Sequence, residues 1–205
     1  MDPQLLLLVI PVLIISIIVH EVAHGYAALF LGDRTALDAG RLTMNPLAHI
    51  DPVGSILLPI VTSFTGFFFG YAKPVPYNPV NLSNKKWGEA IVAFAGPASN
   101  IILAIVFGLV ARGFVMSGMP TDTLVLQGVV FIVIANLFLA FLNLIPIAPL
   151  DGSKILFSVL PYRWIGVRRW MEQYQLVLVG LILVFIITTP ILENITYFFA
   201  GILIG

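Results

Sequence analysis

The sequence predicts an all-α, polytopic membrane protein with four full transmembrane helices, a re-entrant or shallow hairpin segment and an interfacial helix. Of its 205 residues, 60% are hydrophobic and only 10% are charged, and the mean hydropathy is +1.05. Soluble domains carry about 25% charged residues, and a membrane-spanning helix needs about 20 largely apolar residues in succession. The composition therefore excludes an ordinary soluble domain and indicates one compact membrane domain.

Five apolar stretches are long enough to compete as membrane segments, at 3–31, 53–70, 88–115, 123–148 and 174–204. Gly54, Pro59 and Gly66 interrupt the second stretch, and Pro190 predicts a kink in the last. The stretch 158–173 mixes Trp with Arg, which is typical of a helix lying along the membrane surface. We interpret residues 1–205 as a single domain, with a core at about 3–152 and a C-terminal transmembrane helix at about 174–204.

The distribution of basic residues predicts the topology. If 53–70 is re-entrant rather than spanning, nine of the ten Lys and Arg residues lie on one side, and only Arg112 lies opposite. Because cytoplasmic loops carry the excess of Lys and Arg, both termini are expected outside and the side with the basic loops toward the cytoplasm. The proline-rich segment 73–79 cannot be helical, and we expect an extended loop there.

The motif His20-Glu21-Val22-Ala23-His24 holds the only acidic, basic or histidine side chains between positions 5 and 31. A charged residue at the centre of a membrane helix costs about 2.5–3.5 kcal/mol, so something must compensate for these groups. Because positions i and i+4 share one helix face, His20 and His24 can bind one zinc ion. Glu21 lies beside them and can take a proton from the attacking water.

A catalytic zinc site uses three protein ligands and leaves a fourth position open. The chain has no cysteine, so the third ligand must be a histidine or a carboxylate. Asp151 is the favoured candidate because Pro146 and Pro149 break the fourth helix before it and Gly152 permits a tight turn after it. The competing candidates are His49 and Asp51, with Asp33 and Asp38 as outsiders.

Three segments together resemble the site-2 protease family of intramembrane zinc metalloproteases. They are the HEVAH motif in a membrane helix, the pattern N-x-x-P-x-x-x-L-D-G at 143–152, and the segment Gly-Pro-Ala-Ser-Asn at 96–100. The resemblance is to the short prokaryotic members without a PDZ or CBS domain. It implies that His20, His24 and Asp151 hold zinc, that Glu21 is the general base, and that the substrates are transmembrane segments.

Three further polar residues are candidates for contacting the substrate or the oxyanion: Asn100, Asn143 and His49. Asn100 lies in an apolar helix among small residues, where it can equally well bridge neighbouring helices. Asn143 and Asn136 are seven residues apart and therefore share a face of the fourth helix. For His49, a local hydrogen bond is the competing interpretation.

The sequence thus predicts a zinc-dependent intramembrane endopeptidase whose partners are membrane lipid and transmembrane substrates. The alternatives are a catalytically silent membrane scaffold of the same fold and a metal transporter. A transporter would need polar residues on successive helices across the bilayer, whereas this chain concentrates them at one depth. Lys plus Arg equal Asp plus Glu, so no nucleic-acid partner is predicted, and the sequence leaves open whether the chain forms a homo-oligomer.

Overall fold

The computed structural model describes residues 3–57, 60 and 72–205, and none of these lies in a β-strand. The chain forms helices α1 (Pro3–Phe30), α2 (Thr35–Asp38), α3 (Gly88–Met116), α4 (Leu124–Asn143), α5 (Asp151–Val159), α6 (Ile165–Gln173), α7 (Gln175–Thr188) and α8 (Ile191–Ile204). Short 3-10 turns lie at Pro46–His49, Pro79–Asn81 and Tyr162–Trp164, and a π-helical turn at Pro52–Leu57. The predicted all-α class is confirmed.

Three of these helices are long and apolar enough to cross a membrane: α1 from Val9 to Phe30, α3 and α4. Their observed ends lie within a few residues of the predicted ones, except that α4 stops at Asn143 rather than at 148. The chain leaves the helix there because Pro146 and Pro149 cannot donate backbone hydrogen bonds to a continuing helix. These helices and the composition identify an integral, polytopic membrane protein.

The C-terminal stretch differs from the single kinked span that the sequence predicts. It divides at Thr189 and Pro190 into α7 and α8, of 14 residues each. Fourteen helical residues extend about 21 Å, less than the roughly 30 Å of the hydrocarbon core. Among the described residues, a fourth span is reached only if α6 and α7, which meet at an angle of 76°, are counted as one. The predicted interfacial segment corresponds in part to α6.

The predicted re-entrant segment 53–70 lies largely outside the described residues. Its beginning is the turn Pro52–Leu57. The description of the chain resumes at residue 72, where the extended segment 72–78 begins. The structure therefore leaves the re-entrant interpretation as a prediction.

Helix α3 is the central element of the fold, because it packs against α1, α4, α5 and α8. Two apolar clusters lie along it. One surrounds Val92 and contains Ala28 and Leu82, and the other surrounds Ala104 and contains Val133 and Leu137 together with Ala200. Between these clusters, Gly96 and Asn100 of α3 face α1, and they form one wall of the site described below.

The connection after α1 is organised by Asp33, which is fully buried. Gly32 adopts a φ of +95°, the left-handed conformation that commonly ends a helix. The Asp33 carboxylate then accepts hydrogen bonds from the Thr35 hydroxyl, the Asn78 backbone and the Asn81 amide, at 2.6, 2.7 and 2.9 Å. Burial alone would raise the pKa of Asp33, but these bonds bring it below its usual value. The ionised side chain thereby holds the extended segment 72–78 against the end of α1.

Candidate metal centre

Two imidazoles and one carboxylate converge between α1 and α5. The His20 Nε2 and His24 Nε2 atoms lie 3.1 and 3.2 Å from the Asp151 Oδ2 atom and 3.0 Å from each other. All three residues are buried, and their ligand atoms form a group that could hold a metal ion. The i, i+4 spacing of the histidines explains their common face, and the fold supplies an aspartate from 127 positions further along the chain than His24.

Asp151 is the first residue of α5, which packs against α3. The neighbouring Gly152 does not make the tight turn that the sequence predicts, since it is helical and its φ is not positive. Its role is a close approach: a Cβ atom at this position would lie 2.5 Å from the Ile145 carbonyl oxygen. The absence of a side chain lets α5 begin directly against the chain that leaves α4, and so places Asp151 beside α1.

The hydrogen bonds of the two rings determine which nitrogen faces the cluster. The His24 Nδ1 atom lies 2.7 Å from the Val92 backbone oxygen, and the His20 Nδ1 atom lies 2.6 Å from the Asn100 Oδ1 atom. A carbonyl oxygen can only accept, so each Nδ1 donates. In the neutral rings both Nε2 atoms then carry lone pairs directed toward each other and toward the carboxylate.

Three acceptors within about 3 Å of one another repel unless a cation lies among them. The chemistry of this group therefore fits a divalent metal, because zinc binds neutral imidazole and carboxylate oxygen. In addition, metal-ligating histidines typically donate their other ring N–H to a carbonyl or carboxylate, as both rings do here.

Lys154 provides the positive charge closest to the carboxylate. Its Nζ atom lies 3.6 Å from the Asp151 Oδ1 atom and 5.4 Å from the centre of the Tyr77 ring. Burial alone would raise the pKa of Asp151, and the neighbouring Lys154 ammonium opposes that rise. Asp151 is therefore an anionic ligand whose second oxygen faces a lysine.

Gly96 allows α3 to pass directly over the two rings. A Cβ atom at this position would lie 2.5 Å from the Cε1 and Nε2 atoms of His24 and 2.6 Å from the Cε1 atom of His20. Contacts this short do not occur between real side chains, so a larger residue would displace one or both rings. The backbone of α3 is thus part of the wall of the site.

We expect Gly96→Ala to weaken zinc binding by disturbing the imidazoles, since overpacking a filled site costs about 1–3 kcal/mol. Gly113→Ala is the matched control on the same helix, because nothing lies within 4 Å of a Cβ atom there. Zinc affinity, measured by competition with a fluorescent chelator, should fall for the first variant and not for the second. Equal affinities would show that the rings tolerate the added methyl group.

Glu21 lies between the two histidines in sequence and is anchored by the extended segment. The Val75 backbone N–H donates to the Glu21 Oε2 atom at 2.9 Å. The segment is itself tied down, because the Arg41 guanidinium donates to the Lys73 and Pro74 carbonyl oxygens at 2.8 and 3.3 Å. A carboxylate held in this way next to the candidate ligands can accept a proton without swinging away.

The three candidate substrate residues have separate hydrogen-bond partners in the structure. The amide of Asn100 is bonded to His20 and to helices α1 and α4. The amide nitrogen of Asn143 donates to the Leu139 carbonyl oxygen of its own helix at 2.9 Å. The His49 Nε2 atom lies 2.8 Å from the Thr43 carbonyl oxygen. The substrate roles of these residues remain predictions.

The other candidate third ligands do not join the cluster of His20, His24 and Asp151. Asp33 holds the connection after α1, Asp38 pairs with Arg34 at the surface, and Asp51 accepts from the Gly54 backbone. Sequence reasoning did not find the contributions of Val92, Lys154 and the backbone at Gly96. Val92 contributes a carbonyl oxygen, which any residue could supply, so no pattern of side chains could indicate it.

Comparisons with known proteins are consistent with this geometry. The model of peptidase family M50 matches residues 115–187, which include Asn143 to Gly152. The chain is 39% identical over 168 residues to the putative zinc metalloprotease YwhC of Bacillus subtilis, covering 80% of this chain and 72% of that protein. It is 31% identical over 146 residues to the putative zinc metalloprotease Rip2 of Mycolicibacterium smegmatis, covering 71% of this chain.

The matched region covers different shares of the two relatives' lengths. The matched region spans 54% of the length of the Mycolicibacterium smegmatis protein, so the chain corresponds to about half of that relative. No solved structure matches the chain significantly. The resemblance indicated by the HEVAH and LDG motifs is nonetheless confirmed, since similarity to YwhC extends over most of both proteins. The chain belongs to peptidase family M50, the site-2 protease family.

Proposed function

We propose that this chain is a zinc-dependent intramembrane endopeptidase that hydrolyses peptide bonds in or near transmembrane segments of other membrane proteins. The observation that carries the proposal is the convergence of His20, His24 and Asp151, two of which lie in a helix of membrane-spanning length and hydropathy. The position of the site within such a helix supports substrates that lie in the same bilayer.

The broader part of the proposal, that the chain is a zinc metalloendopeptidase, rests on its sequence relatives and on the geometry of the site. The chain belongs to a peptidase family, and the relatives it matches carry the name putative zinc metalloprotease. The buried group of two imidazoles and one carboxylate fits that metal. The protein is accordingly a metalloendopeptidase with zinc as its cofactor, and its membrane substrates are the finer part of the proposal.

Each residue of the site has a role under this proposal. His20, His24 and Asp151 hold the zinc, and Glu21 is the general base. Bound zinc acts as a Lewis acid that lowers the pKa of water to about 7 and polarises a carbonyl group. Glu21, oriented by the Val75 N–H, accepts a proton from the attacking water. The same carboxylic acid then donates the proton to the leaving amine.

The depth of the site in the membrane affects how water reaches it and which substrate bonds are accessible. His24 lies six residues before the end of α1 at Phe30, which is about 9 Å along a helix. Water therefore has a short path from the membrane boundary. A helical substrate hides its carbonyl groups in its own hydrogen bonds, so we expect cleavage where helix-breaking residues expose them.

The extended segment 72–78 is proposed to receive the unwound substrate. It lies beside Glu21, to which the Val75 backbone N–H donates. An extended peptide can add to such a segment as a further strand, with main-chain hydrogen bonds supplying the affinity. This would bring a scissile carbonyl group next to the general base.

We further propose that the site faces the cytoplasm of a prokaryotic cell membrane. Nine of the ten Lys and Arg residues lie on the side of the site if 53–70 is re-entrant, which satisfies the positive-inside rule. The core at about 3–152 then holds the whole catalytic constellation, within a single domain that covers residues 1–205. Arg112, the exception, donates to the Ile202 carbonyl oxygen at 2.7 Å near the other end of the fold.

The test is cleavage of a defined membrane substrate by the purified chain in lipid vesicles. We expect a tagged single-span protein with Gly and Pro in its transmembrane segment to be cut, the activity to disappear on chelation and to return with one zinc per chain. A poly-leucine span is the matched control and should be cut more slowly. Cleavage of soluble peptides alone would contradict the intramembrane proposal, and stoichiometric zinc without any cleavage would favour a silent scaffold.

A further inference from the structure

A chain of buried polar groups extends from the candidate metal ligand His20 to α4. The Asn100 and Asn136 side chains are both fully buried, and they lie on α3 and α4 respectively. The Asn100 Nδ2 atom donates to the Asn136 Oδ1 atom at 2.8 Å and to the Ser16 backbone oxygen at 3.4 Å. The Asn136 Nδ2 atom donates to the Ile132 backbone oxygen at 2.9 Å and to the Ser16 hydroxyl at 3.0 Å.

Which groups donate and which accept in this series of hydrogen bonds follows from the Ile132 carbonyl oxygen at one end. An asparagine side chain carries one acceptor and one donor group, which could in principle be exchanged. The Ile132 carbonyl oxygen can only accept, so the NH₂ group of Asn136 must face it. The Asn136 oxygen then faces Asn100, whose NH₂ group must donate to it.

The same reasoning continues to the histidine. With its NH₂ group facing Asn136 and the Ser16 carbonyl oxygen, Asn100 presents its oxygen to the His20 Nδ1 atom at 2.6 Å. The ring must therefore carry its proton on Nδ1. Its Nε2 atom keeps the lone pair and points at Asp151.

We infer that Asn136 and Asn100 are positioning residues that set the tautomer and orientation of His20, so that a backbone carbonyl on α4 determines how a ligand on α1 faces the metal. The inference rests on the proposed zinc site. The two amides act through His20, and neither contacts the reacting atoms. This positioning role is separate from the substrate contact that the sequence position of Asn100 suggested, which stays a prediction.

His24 provides an internal comparison within the same site. Its Nδ1 atom donates directly to the Val92 backbone oxygen, with no intervening side chain. Its tautomer should therefore be independent of Asn136. The chain contains three histidines in all, so ring signals of ¹⁵N-histidine-labelled protein can be assigned by single substitutions.

The experiment combines ¹⁵N NMR of the metal-free protein in detergent micelles, at a pH where the rings are neutral, with zinc affinity from chelator competition. In the parent protein we expect both His20 and His24 to carry the proton on Nδ1. Asn136→Leu should give a mixture of tautomers at His20 alone and weaken zinc binding about 10- to 100-fold, the usual loss for an outer-shell partner.

Two further variants separate this role from packing. Asn136→Asp, in its protonated form, can donate to the Ile132 carbonyl oxygen and accept from Asn100, so it should restore the His20 tautomer and most of the affinity. Ser16→Ala removes the hydroxyl that Asn136 also contacts but leaves the Ile132 bond, so the tautomer should not change. If Asn136→Leu does not fold, Asn136→Ala takes its place.

Three results have distinct meanings. A parent protein with the His20 proton on Nε2 would overturn the inference, whatever the variants do. So would a folded Asn136→Leu or Asn136→Ala variant with the parental tautomer and affinity. A parent protein that binds no zinc would instead contradict the proposed function, which the affinity measurement tests separately.

Discussion

Glu21→Gln is expected to leave zinc binding intact and to lower peptide-bond cleavage by about 100- to 10,000-fold, the range that loss of a general base produces. The amide has nearly the same shape as the carboxylate, and its oxygen can still accept the Val75 N–H bond that orients the side chain. It cannot accept a proton from water. Bound zinc and cleavage of the tagged transmembrane substrate are the two measurements.

Glu193→Gln is the matched control for this variant, because Glu193 is an exposed glutamate on α8. It makes the same chemical change outside the site and should retain both zinc and activity. A Glu21→Gln enzyme that still cleaves at the parental rate would remove Glu21 from the general-base role. An inactive variant that retains zinc would also serve to trap bound substrates for identification by mass spectrometry.

Asp151→Ala is expected to abolish both zinc binding and cleavage. The substitution removes the only carboxylate of the candidate cluster and leaves two imidazoles, one fewer protein ligand than a catalytic zinc site uses. We expect zinc affinity to fall by more than the roughly 10- to 100-fold that loss of an outer-shell partner costs. Elemental analysis of the purified protein and chelator competition measure the loss.

Asp151→Ala should affect the stability of the fold less than it affects zinc binding. Removing the carboxylate leaves Lys154 without its partner at 3.6 Å, but the lysine side chain can extend toward the membrane surface. Asp38→Ala is the matched control, because Asp38 is exposed and pairs only at the surface with Arg34, at 3.7 Å. Full zinc occupancy in a folded Asp151→Ala protein would exclude Asp151 from the ligand set.

Much of the site could be predicted from local sequence. The i, i+4 spacing of His20 and His24 places them on one face of any helix, and the charge-poor flanks identify that helix as a membrane segment. Asp151 was favoured over four other candidates because two prolines precede it. The structure brings it within 3.2 Å of both imidazole nitrogens.

Other features depended on contacts between distant parts of the chain. Gly152 was expected to make a turn and instead permits α5 to begin against the Ile145 carbonyl oxygen. Asn100 was expected to contact substrate or to bridge helices, and the structure shows it bonded to His20 and Asn136. The break at Pro190 was predicted as a kink, but only the structure shows two separate helices of 14 residues.

The sequence by itself determined the membrane class of this protein, the helix that carries two histidines and a glutamate, and the family to which it belongs. Those properties follow from composition and from spacing along one helix, where geometry is local and periodic. Only the tertiary structure decided that Asp151 meets the histidines, that Gly96 lies against their rings, and that the Val92 carbonyl and the Asn100 amide select their tautomers. Each of these depends on how helices that are distant in sequence pack together. A backbone carbonyl group is present in every residue, so the pattern of side chains cannot identify the one that binds.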